Sequence, residues 1–277
     1  MEEIKVKAPA KINLGLNVIS KRADGYHNIE TIFYPIELSD LLTFKNSDKF
    51  IFTSSNEELN KSKDNLVIKA KELIEEEVKQ KINIHIHLEK NIPIGGGLGG
   101  GSSDAAIILT TLNKIFNLEL SKEQLLTLAL KIGSDVPFFI NPQPCFGESR
   151  GEILQPINLK INFPLLIVNP GIHISTKEAY SNILPRIPEF DLNSLTQEYL
   201  DAPEMLAKIL KNDFESFVLK EYAEIKNLKD QLYELGASFV LMSGSGSTLW
   251  SIFKDKQLAK EVKIILSKKY FTFLQNS

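Results

Sequence analysis

Apolar residues alternate with polar or small ones in several stretches of the chain, which is the two-residue period of β-strands. The first such stretch places four apolar side chains on one predicted face: Ile12, Leu14, Leu16 and Val18. Lys11 and Asn13 then share the opposite face. Residues 82–88 alternate in the same way and predict another strand.

Other stretches repeat their apolar residues every three to four positions, which predicts amphipathic helices. The helices expected in the first half are 64–79, with Asp64 as its cap, 105–116 and 121–133. Those expected in the second half are 204–211, 214–235 and 255–269. Strands and helices are mixed without a regular strand–helix–strand repeat, which favours an α+β fold over a doubly wound parallel sheet.

The chain has 277 residues, enough for one large or two modest domains at roughly 150 residues per domain. Its character changes after residue 155, where a short apolar strand is followed by a polar, proline-punctuated connection over 183–203. We therefore predict two domains, 1–155 and 156–277.

Composition excludes several classes of protein. The formal net charge is −3, whereas nucleic-acid-binding proteins usually carry a basic excess. A single cysteine, Cys145, excludes an intrachain disulfide and a multi-cysteine metal site. The start of the chain lacks the pattern of a secretory signal, and no apolar run approaches the roughly 20 residues that span a bilayer. We expect a cytoplasmic protein with neither a nucleic-acid nor a membrane partner.

Glycines are concentrated between a predicted strand and a predicted helix. Six of the 15 glycines lie within residues 95–101, and Ser102 and Ser103 follow them. Glycine lets the backbone approach a ligand closely, and the free N–H groups at the start of a helix attract anions. The segment therefore predicts a phosphate-binding loop rather than a flexible linker.

The best-known phosphate loops do not fit this segment. Gly95, Gly97 and Gly100 match the spacing G-x-G-x-x-G, but the next element is a second helix, not the strand that a dinucleotide-binding fold requires. No lysine follows the glycines, as it would in a P-loop. The H-R-D and D-F-G motifs of protein kinases are also absent.

Residues 93–103, P-I-G-G-G-L-G-G-G-S-S, resemble the phosphate loop of the GHMP kinases. Residues 8–14 resemble the first motif of that superfamily, and residues 242–247 resemble its third. Two further segments, 22–27 and 133–138, are similar to members that act on a cytidine-diphosphate alcohol in the non-mevalonate isoprenoid pathway. The resemblance runs in the same order from residue 5 to about residue 250.

The resemblance implies a ribosomal-S5-like N-terminal domain and a ferredoxin-like C-terminal domain. It implies an ATP-dependent kinase that phosphorylates the 2-hydroxyl of a small substrate carrying cytidine diphosphate. ATP would bring Mg²⁺, for which the sequence assigns no ligands. The implied assembly is a monomer or a weak homodimer.

The resemblance also implies roles for individual residues. Asp135 would accept the hydrogen of the attacking hydroxyl, and Lys11 would lie beside it. The implied ATP-binding residues are Pro93, Ile94, Gly95, Gly96, Gly97, Leu98, Gly99, Gly100, Gly101, Ser102 and Ser103, with Asn65 and Lys90 on the adenine side. The implied substrate-binding residues are Asn13, Tyr26, His27, Thr176 and Tyr180. Tyr26 and Tyr180 would sandwich the cytosine, and His27 would hydrogen-bond its edge.

Two other functions stay open at this point. The chain could be another GHMP kinase, of the mevalonate or homoserine type, although those substrates have no base for aromatic residues to stack on. It could also be a non-catalytic nucleotide-binding module, against which Lys11 and Asp135 argue. His85 and His87 share one strand face, but no third ligand is placed to help them hold a metal.

Overall fold

The computed structural model describes residues 2–62 and 64–276. The strands are β1 (Ile4–Lys21), β2 (His27–Lys45), β3 (Ile51–Ser54), β4 (His85–Glu89), β5 (Cys145–Glu148), β6 (Ile153–Pro156), β7 (Leu165–Asn169), β8 (Phe239–Met242), β9 (Leu249–Ile252) and β10 (Phe271–Gln275). The α-helices are α1 (Glu57–Lys61), α2 (Leu66–Val78), α3 (Gly100–Ile115), α4 (Lys122–Ile132), α5 (Val136–Ile140), α6 (Thr176–Ser181), α7 (Gln197–Leu200), α8 (Pro203–Ile209), α9 (Glu215–Glu221), α10 (Ala223–Glu234) and α11 (Lys256–Leu266). This mixture confirms the predicted α+β class.

The chain divides into two compact units, and each is built from several segments. Unit 1 comprises the residues up to Ala10, Glu37–Ile94 and Gly99–Pro142. Unit 2 comprises Lys11–Ile36, Gly95–Leu98 and the residues from Gln143 on. The division differs from the single cut predicted at residue 155 because β1 and β2 are long strands, and each belongs partly to one unit and partly to the other.

Unit 1 combines a small sheet with a group of helices. The later part of β2 pairs antiparallel with β4, with Leu42 opposite Leu88, and β4 pairs parallel with β3. Helices α2, α3, α4 and α5 pack on one another. Leu42, Ile74 and Leu109 are fully buried, so apolar burial from the strands and from the helices stabilises this unit.

Unit 2 contains the four-stranded sheet in the order β10-β7-β9-β8. Every residue of β7, β8 and β9 is buried, as expected for strands covered on both faces. Helix α10 packs against β8 and α11 packs against β7. The early part of β2 pairs antiparallel with β5, with Ile32 opposite Phe146. In the described part of the chain, no helix combines the length and apolar character needed to cross a bilayer.

Gly15 breaks the alternation predicted along β1. Its φ is +84°, in the left-handed region that favours glycine. A Cβ at this position would lie 2.7 Å from Leu192 Cδ2, so the space also requires glycine. The backbone carbonyl of Gly15 accepts a hydrogen bond of 2.6 Å from the Thr31 hydroxyl.

The prediction of one apolar face from Ile12 to Val18 is therefore wrong beyond Gly15. Leu16 and Val18 belong to the same core cluster as Ile29 of β2. Ile29 and Thr31 are two residues apart in β2 and therefore lie on the same face of that strand. The Asn13 side chain donates a hydrogen bond to the Thr31 hydroxyl, so Asn13 lies on that side of the sheet too. Leu16 and Val18 thus lie on the side of the sheet that Asn13 occupies, and the kink at Gly15 exchanges the two faces.

Candidate active site

The glycine-rich segment is a loop with a left-handed backbone at three positions. Strand β4 ends at Glu89 and α3 begins at Gly100, which confirms the predicted order of strand, loop and helix. Gly95, Gly97 and Gly99 have φ values of +69°, +78° and +71°. Side chains disfavour this region, so the glycines set the path of the loop.

Within unit 2, the loop lies against the segment that joins β8 to β9. The Ser243 hydroxyl donates a hydrogen bond of 2.9 Å to the carbonyl oxygen of Gly97. The backbone N–H of Thr248 donates to the carbonyl of Gly96 at 3.3 Å. The contact at Gly97 is so close that a Cβ there would lie 2.1 Å from the carbonyl oxygen of Ser243. Two motifs that lie about 150 residues apart in the sequence are therefore packed backbone to backbone.

Replacing Gly97 by alanine is expected to lower kcat/KM for ATP about 10²-fold, because the backbone of the glycine loop, the predicted phosphate-binding segment, would be displaced. The new methyl group would meet the Ser243 carbonyl and would also disfavour the φ of +78°. Gly133→Ala is the control, because Gly133 has an extended backbone and a Cβ there would make an ordinary 3.6 Å contact with Val136 Cγ2. Steady-state kinetics and melting temperatures of both variants test this, and wild-type kcat/KM in Gly97→Ala would contradict it.

Lys11 and Asn13 lie on the same face of β1, as the alternation predicts. Lys11 is 3% exposed, and its ammonium donates a 2.7 Å hydrogen bond to Asn13 Oδ1. The ammonium also lies 5.3 Å from the centre of the Phe33 ring, a cation–π contact. The Asn13 amide in turn donates to the Thr31 hydroxyl at 2.8 Å, so a short polar row fixes both side chains.

His27 and Tyr180, two predicted substrate-binding residues, are stacked on each other. Their ring centroids are 4.8 Å apart, and the ring planes differ by 19°. Burial lowers the pKa of His27, and the charge of Lys21 lowers it further, so both effects favour the neutral imidazole. The hydroxyl of Thr176, a third predicted substrate residue, lies 3.3 Å from the Ser245 hydroxyl.

Tyr26 is half-exposed and has Arg150 as its partner. The guanidinium carbon lies 4.4 Å from the centre of the Tyr26 ring. The backbone N–H of Arg150 donates to Glu152, and the Ser149 hydroxyl also donates to Glu152, at 2.7 and 3.1 Å. Arg22 donates to the Ser149 hydroxyl at 2.8 Å and so ties the two loops together. Sequence reasoning did not identify Arg150, and its only signal is that the chain has few arginines.

Asp135 belongs to unit 1, where it directly precedes α5. Helix α4 ends at Ile132, and the next residue, Gly133, has an extended backbone. Asp135 is the N-cap residue of α5 and is half-buried. The predicted position on a loop after a helix is confirmed, whereas the proximity of Asp135 to Lys11 stays a prediction.

Lys90 is buried between two aspartates. Its ammonium lies 2.6 Å from Asp104 Oδ2 and 2.5 Å from Asp40 Oδ2. Burial alone would lower the pKa of Lys90, but the two carboxylates outweigh burial and raise it. Burial also raises the pKa of Asp104, to about 7, against the opposing effect of Lys90. The cluster holds the segments on both sides of the glycine loop. Asp40 accepts hydrogen bonds from the backbone N–H groups of Asn91 and Ile92 before the loop, at 2.6 and 2.8 Å, and Asp104 belongs to α3 after it.

Asn65, rather than the predicted Asp64, caps α2. Its side-chain oxygen accepts a 2.9 Å hydrogen bond from the N–H of Val67, and its amide donates to the carbonyl of Leu59 at 3.1 Å. Asparagine and aspartate are both good cap residues, so the sequence pattern alone does not separate the two neighbouring positions. The contact of Asn65 and Lys90 with adenine stays a prediction.

Ser103 has a buried hydroxyl at the start of α3. Among the described residues this oxygen has no hydrogen-bond partner, although a buried polar atom normally has one. The first N–H groups of a helix point outward at this end, so a phosphate oxygen is a suitable partner for the hydroxyl.

The described residues contain no group of three or more His, Cys, Asp or Glu side chains arranged to hold a metal ion. The two strand histidines instead share a hydroxyl. His85 Nε2 and His87 Nδ1 lie 3.1 and 2.9 Å from the Thr53 oxygen.

Comparisons with known proteins agree with this description. Residues 65–142 match the family model described as GHMP kinases N terminal domain, and residues 197–271 match the model described as GHMP kinases C terminal. The 4-diphosphocytidyl-2-C-methyl-D-erythritol kinase of Bacteroides thetaiotaomicron is 43% identical over 253 residues, which cover 89% of this chain and 91% of that protein.

Solved structures give the same result. A crystal structure of 4-(cytidine 5'-diphospho)-2C-methyl-D-erythritol kinase is 31% identical, with a TM-score of 0.83 and 98% of each chain covered. Homoserine kinase from Cytophaga hutchinsonii is 16% identical with a TM-score of 0.70, over 99% of this chain and 94% of that one. The second likeness concerns the fold alone. By its sequence identity to these relatives, the chain belongs to the 4-diphosphocytidyl-2-C-methyl-D-erythritol kinase family of the GHMP kinases.

Proposed function

We propose that this chain transfers the γ-phosphoryl group of ATP to the 2-hydroxyl of 4-diphosphocytidyl-2-C-methyl-D-erythritol. The observation that carries the proposal is the identity to proteins named as kinases of that compound, 43% over nine-tenths of the chain in the Bacteroides thetaiotaomicron protein. The motifs of the glycine loop and of the segments around Tyr26 and Asp135 support the same reaction.

The phosphate donor would bind at the glycine loop and the start of α3. The left-handed glycines leave the backbone open to close approach, and the Ser103 hydroxyl has no other partner among the described residues. Ser103 is also the oxygen in this segment that suits Mg²⁺, an ion that binds through oxygen atoms and usually arrives on the phosphates of ATP. When bound, the ion would neutralise charge on those phosphates.

Asp135 and Lys11 would act at the acceptor hydroxyl. Phosphoryl transfer passes through a loose transition state, so positioning and charge stabilisation contribute most of the catalysis. Asp135 would orient the hydroxyl and accept its proton. The ammonium of Lys11, held by Asn13, would stabilise negative charge on the phosphoryl group in transit.

The aromatic residues of unit 2 would bind the cytosine. The neutral imidazole of His27 has one N–H donor and one acceptor nitrogen, and the edge of cytosine also presents both kinds of group. Because His27 is already stacked on Tyr180, the pair forms a preordered surface, and Arg150 orders the ring of Tyr26.

Tyr26→Ala and Tyr180→Ala are each expected to raise the Kd for the cytidine substrate about 5- to 150-fold, since stacking of a base on an aromatic ring contributes about 1–3 kcal/mol. Phenylalanine at either position should restore most of the affinity, because the ring and not the hydroxyl stacks. Calorimetric titration with substrate and with an ATP analogue checks both effects. Wild-type substrate affinity in the two alanine variants would contradict the proposed pocket, and the affinity for ATP is the internal control.

The choice of acceptor is tested by measuring ADP release with three candidates in parallel: the cytidine substrate, mevalonate and homoserine. We expect turnover with the cytidine substrate only. Turnover with mevalonate or homoserine would assign the chain to another GHMP activity. The absence of turnover with all three, in a protein that binds ATP, would indicate a non-catalytic nucleotide-binding module.

The proposed compartment and partners follow from the substrate and from the charge of the chain. A soluble, charged metabolite as substrate and a net charge of −3 support a cytoplasmic enzyme that binds small molecules and no nucleic acid or membrane. A monomer or weak homodimer is the proposed assembly.

A further inference from the structure

Four segments of unit 2 form a closed ring of hydrogen bonds: β1, the glycine loop, the loop after β8 and residues 211–213. The backbone N–H of Lys11 in β1 donates to the carbonyl of Leu98, at the end of the glycine loop, at 3.0 Å. The carbonyl of the adjacent residue, Gly97, accepts a hydrogen bond from the Ser243 hydroxyl. The segment 211–213 closes the ring, because Leu16 of β1 donates to the carbonyl of Lys211 at 2.8 Å and accepts from the N–H of Asp213 at 2.9 Å.

The side chain that joins this last segment to the loop after β8 is Asn212. Its amide donates to the carbonyls of Met242 and Gly244, both at 2.8 Å. Its oxygen accepts the N–H of Phe214 at 3.0 Å. Asn212 is 3% exposed, so all three bonds are shielded from water. An asparagine that uses both donor hydrogens and its acceptor on backbone groups fixes those groups relative to one another.

The neighbouring Asp213 fixes the other side of the segment. One carboxylate oxygen accepts the N–H of Val18 at 2.7 Å, and the other accepts two bonds from Arg186 at 3.1 and 2.7 Å. Asp213 is 5% exposed, and among the described residues its side chain makes no hydrogen bond to the loop after β8. The two adjacent side chains therefore bind different segments: Asp213 binds β1, and Asn212 binds the loop after β8.

We propose that Asn212 is a positioning residue for the phosphate loop. It holds residues 242–244 in place, Ser243 then holds Gly97, and Gly97 sets the path of the loop that receives the triphosphate. This inference rests on the proposed function, because it assigns the glycine loop to ATP. A buried residue far from the loop in sequence thus controls the affinity for the phosphate donor.

The test is Asn212→Asp in the full chain. A carboxylate of the same shape has no hydrogens for the Met242 and Gly244 carbonyls and would repel both. We expect the Kd for an unhydrolysable ATP analogue, measured by calorimetry, to rise about tenfold or more as these buried groups lose their partners. In the same variant the Kd for the cytidine substrate should change by less than about twofold, because the lost hydrogen bonds are those that hold the loop after β8.

Val218→Ala is the matched control, because Val218 is fully buried in the same unit and makes no hydrogen bond to this ring. It should lower the melting temperature while leaving the Kd for the analogue unchanged. A Kd that rises no more in Asn212→Asp than in Val218→Ala would overturn the proposal.

Ser243→Ala tests the same ring at its other end and keeps the inference falsifiable if Asn212→Asp does not fold. It removes only the bond to Gly97, so the Kd for the analogue should rise without loss of the fold. An unchanged Kd in Ser243→Ala would contradict the proposal. The binding measurement needs no acceptor, so a wild-type protein that binds ATP but phosphorylates nothing would refute the proposed reaction and not the role of Asn212.

Discussion

Asp135→Asn is expected to reduce turnover about 10²–10⁴-fold or more, the range that loss of a general base typically produces. Asparagine has nearly the same shape as aspartate, so it should still orient the substrate hydroxyl. It cannot accept the proton. ATP and substrate should therefore bind with nearly unchanged affinity.

The measurement is single-turnover phosphoryl transfer together with calorimetric affinities for both ligands. Gln124→Ala, in the exposed first turn of α4, is a suitable control because it lies outside every proposed site. A variant that keeps about a tenth of the wild-type rate, well above the range for a lost general base, would remove Asp135 from the mechanism.

Lys90→Met is expected to lower the free energy of unfolding by about 3–5 kcal/mol at neutral pH, the cost of breaking a buried ion pair. Methionine fills a similar volume, so the loss comes from electrostatics. Asp40 and Asp104 would then face each other in a buried place without the ammonium that now lies within 2.6 Å of both. The ends of the glycine loop would lose their fastening at the same time.

The sign of the pH dependence follows from the same cluster. Burial already raises the pKa of Asp104 from 3.8 to about 7 with Lys90 present, and removing the lysine can only raise it further. A carboxyl group whose pKa is higher in the folded state stabilises the fold below its unfolded pKa, and that contribution is lost as the pH rises through the folded pKa. The deficit of Lys90→Met relative to wild type should therefore grow as the pH rises above about 7, where Asp104 ionises in folded wild type but stays protonated in the variant.

Chemical denaturation of wild type and Lys90→Met at pH values below and above about 7 measures the effect. Lys226→Met, at an exposed position of α10, controls for the substitution itself. A deficit below about 1 kcal/mol, the size expected for an exposed ion pair, or one that does not change with pH would contradict the account of the cluster.

Local patterns predicted the features of this protein that depend on neighbouring residues. The glycine loop between β4 and α3 is such a feature, because glycine content and helix capping are encoded within a few positions. The shared face of Lys11 and Asn13 is another, since it needs only strand alternation. The exchange of faces at Gly15 escaped prediction because a glycine within a strand does not reveal the sign of its φ.

Contacts between distant segments had no local signal. Asn212 lies about 30 residues from the carbonyls that it binds, and its hydrogen bonds form only once β8 and β9 are in place. Arg150 reaches Tyr26 across more than a hundred residues for the same reason. The division into two units also depends on long-range pairing, since β1 and β2 contribute to both.

The proposed reaction forms one new phosphate ester, and ³¹P NMR of the reaction products tests this most directly. With ATP, Mg²⁺ and 4-diphosphocytidyl-2-C-methyl-D-erythritol, we expect a new phosphomonoester resonance that grows in step with ADP. Its phosphorus should couple to the carbon that bears the 2-hydroxyl, and the diphosphate resonances of the substrate should persist. Release of inorganic phosphate without a new ester, or an ester at another hydroxyl, would contradict the account.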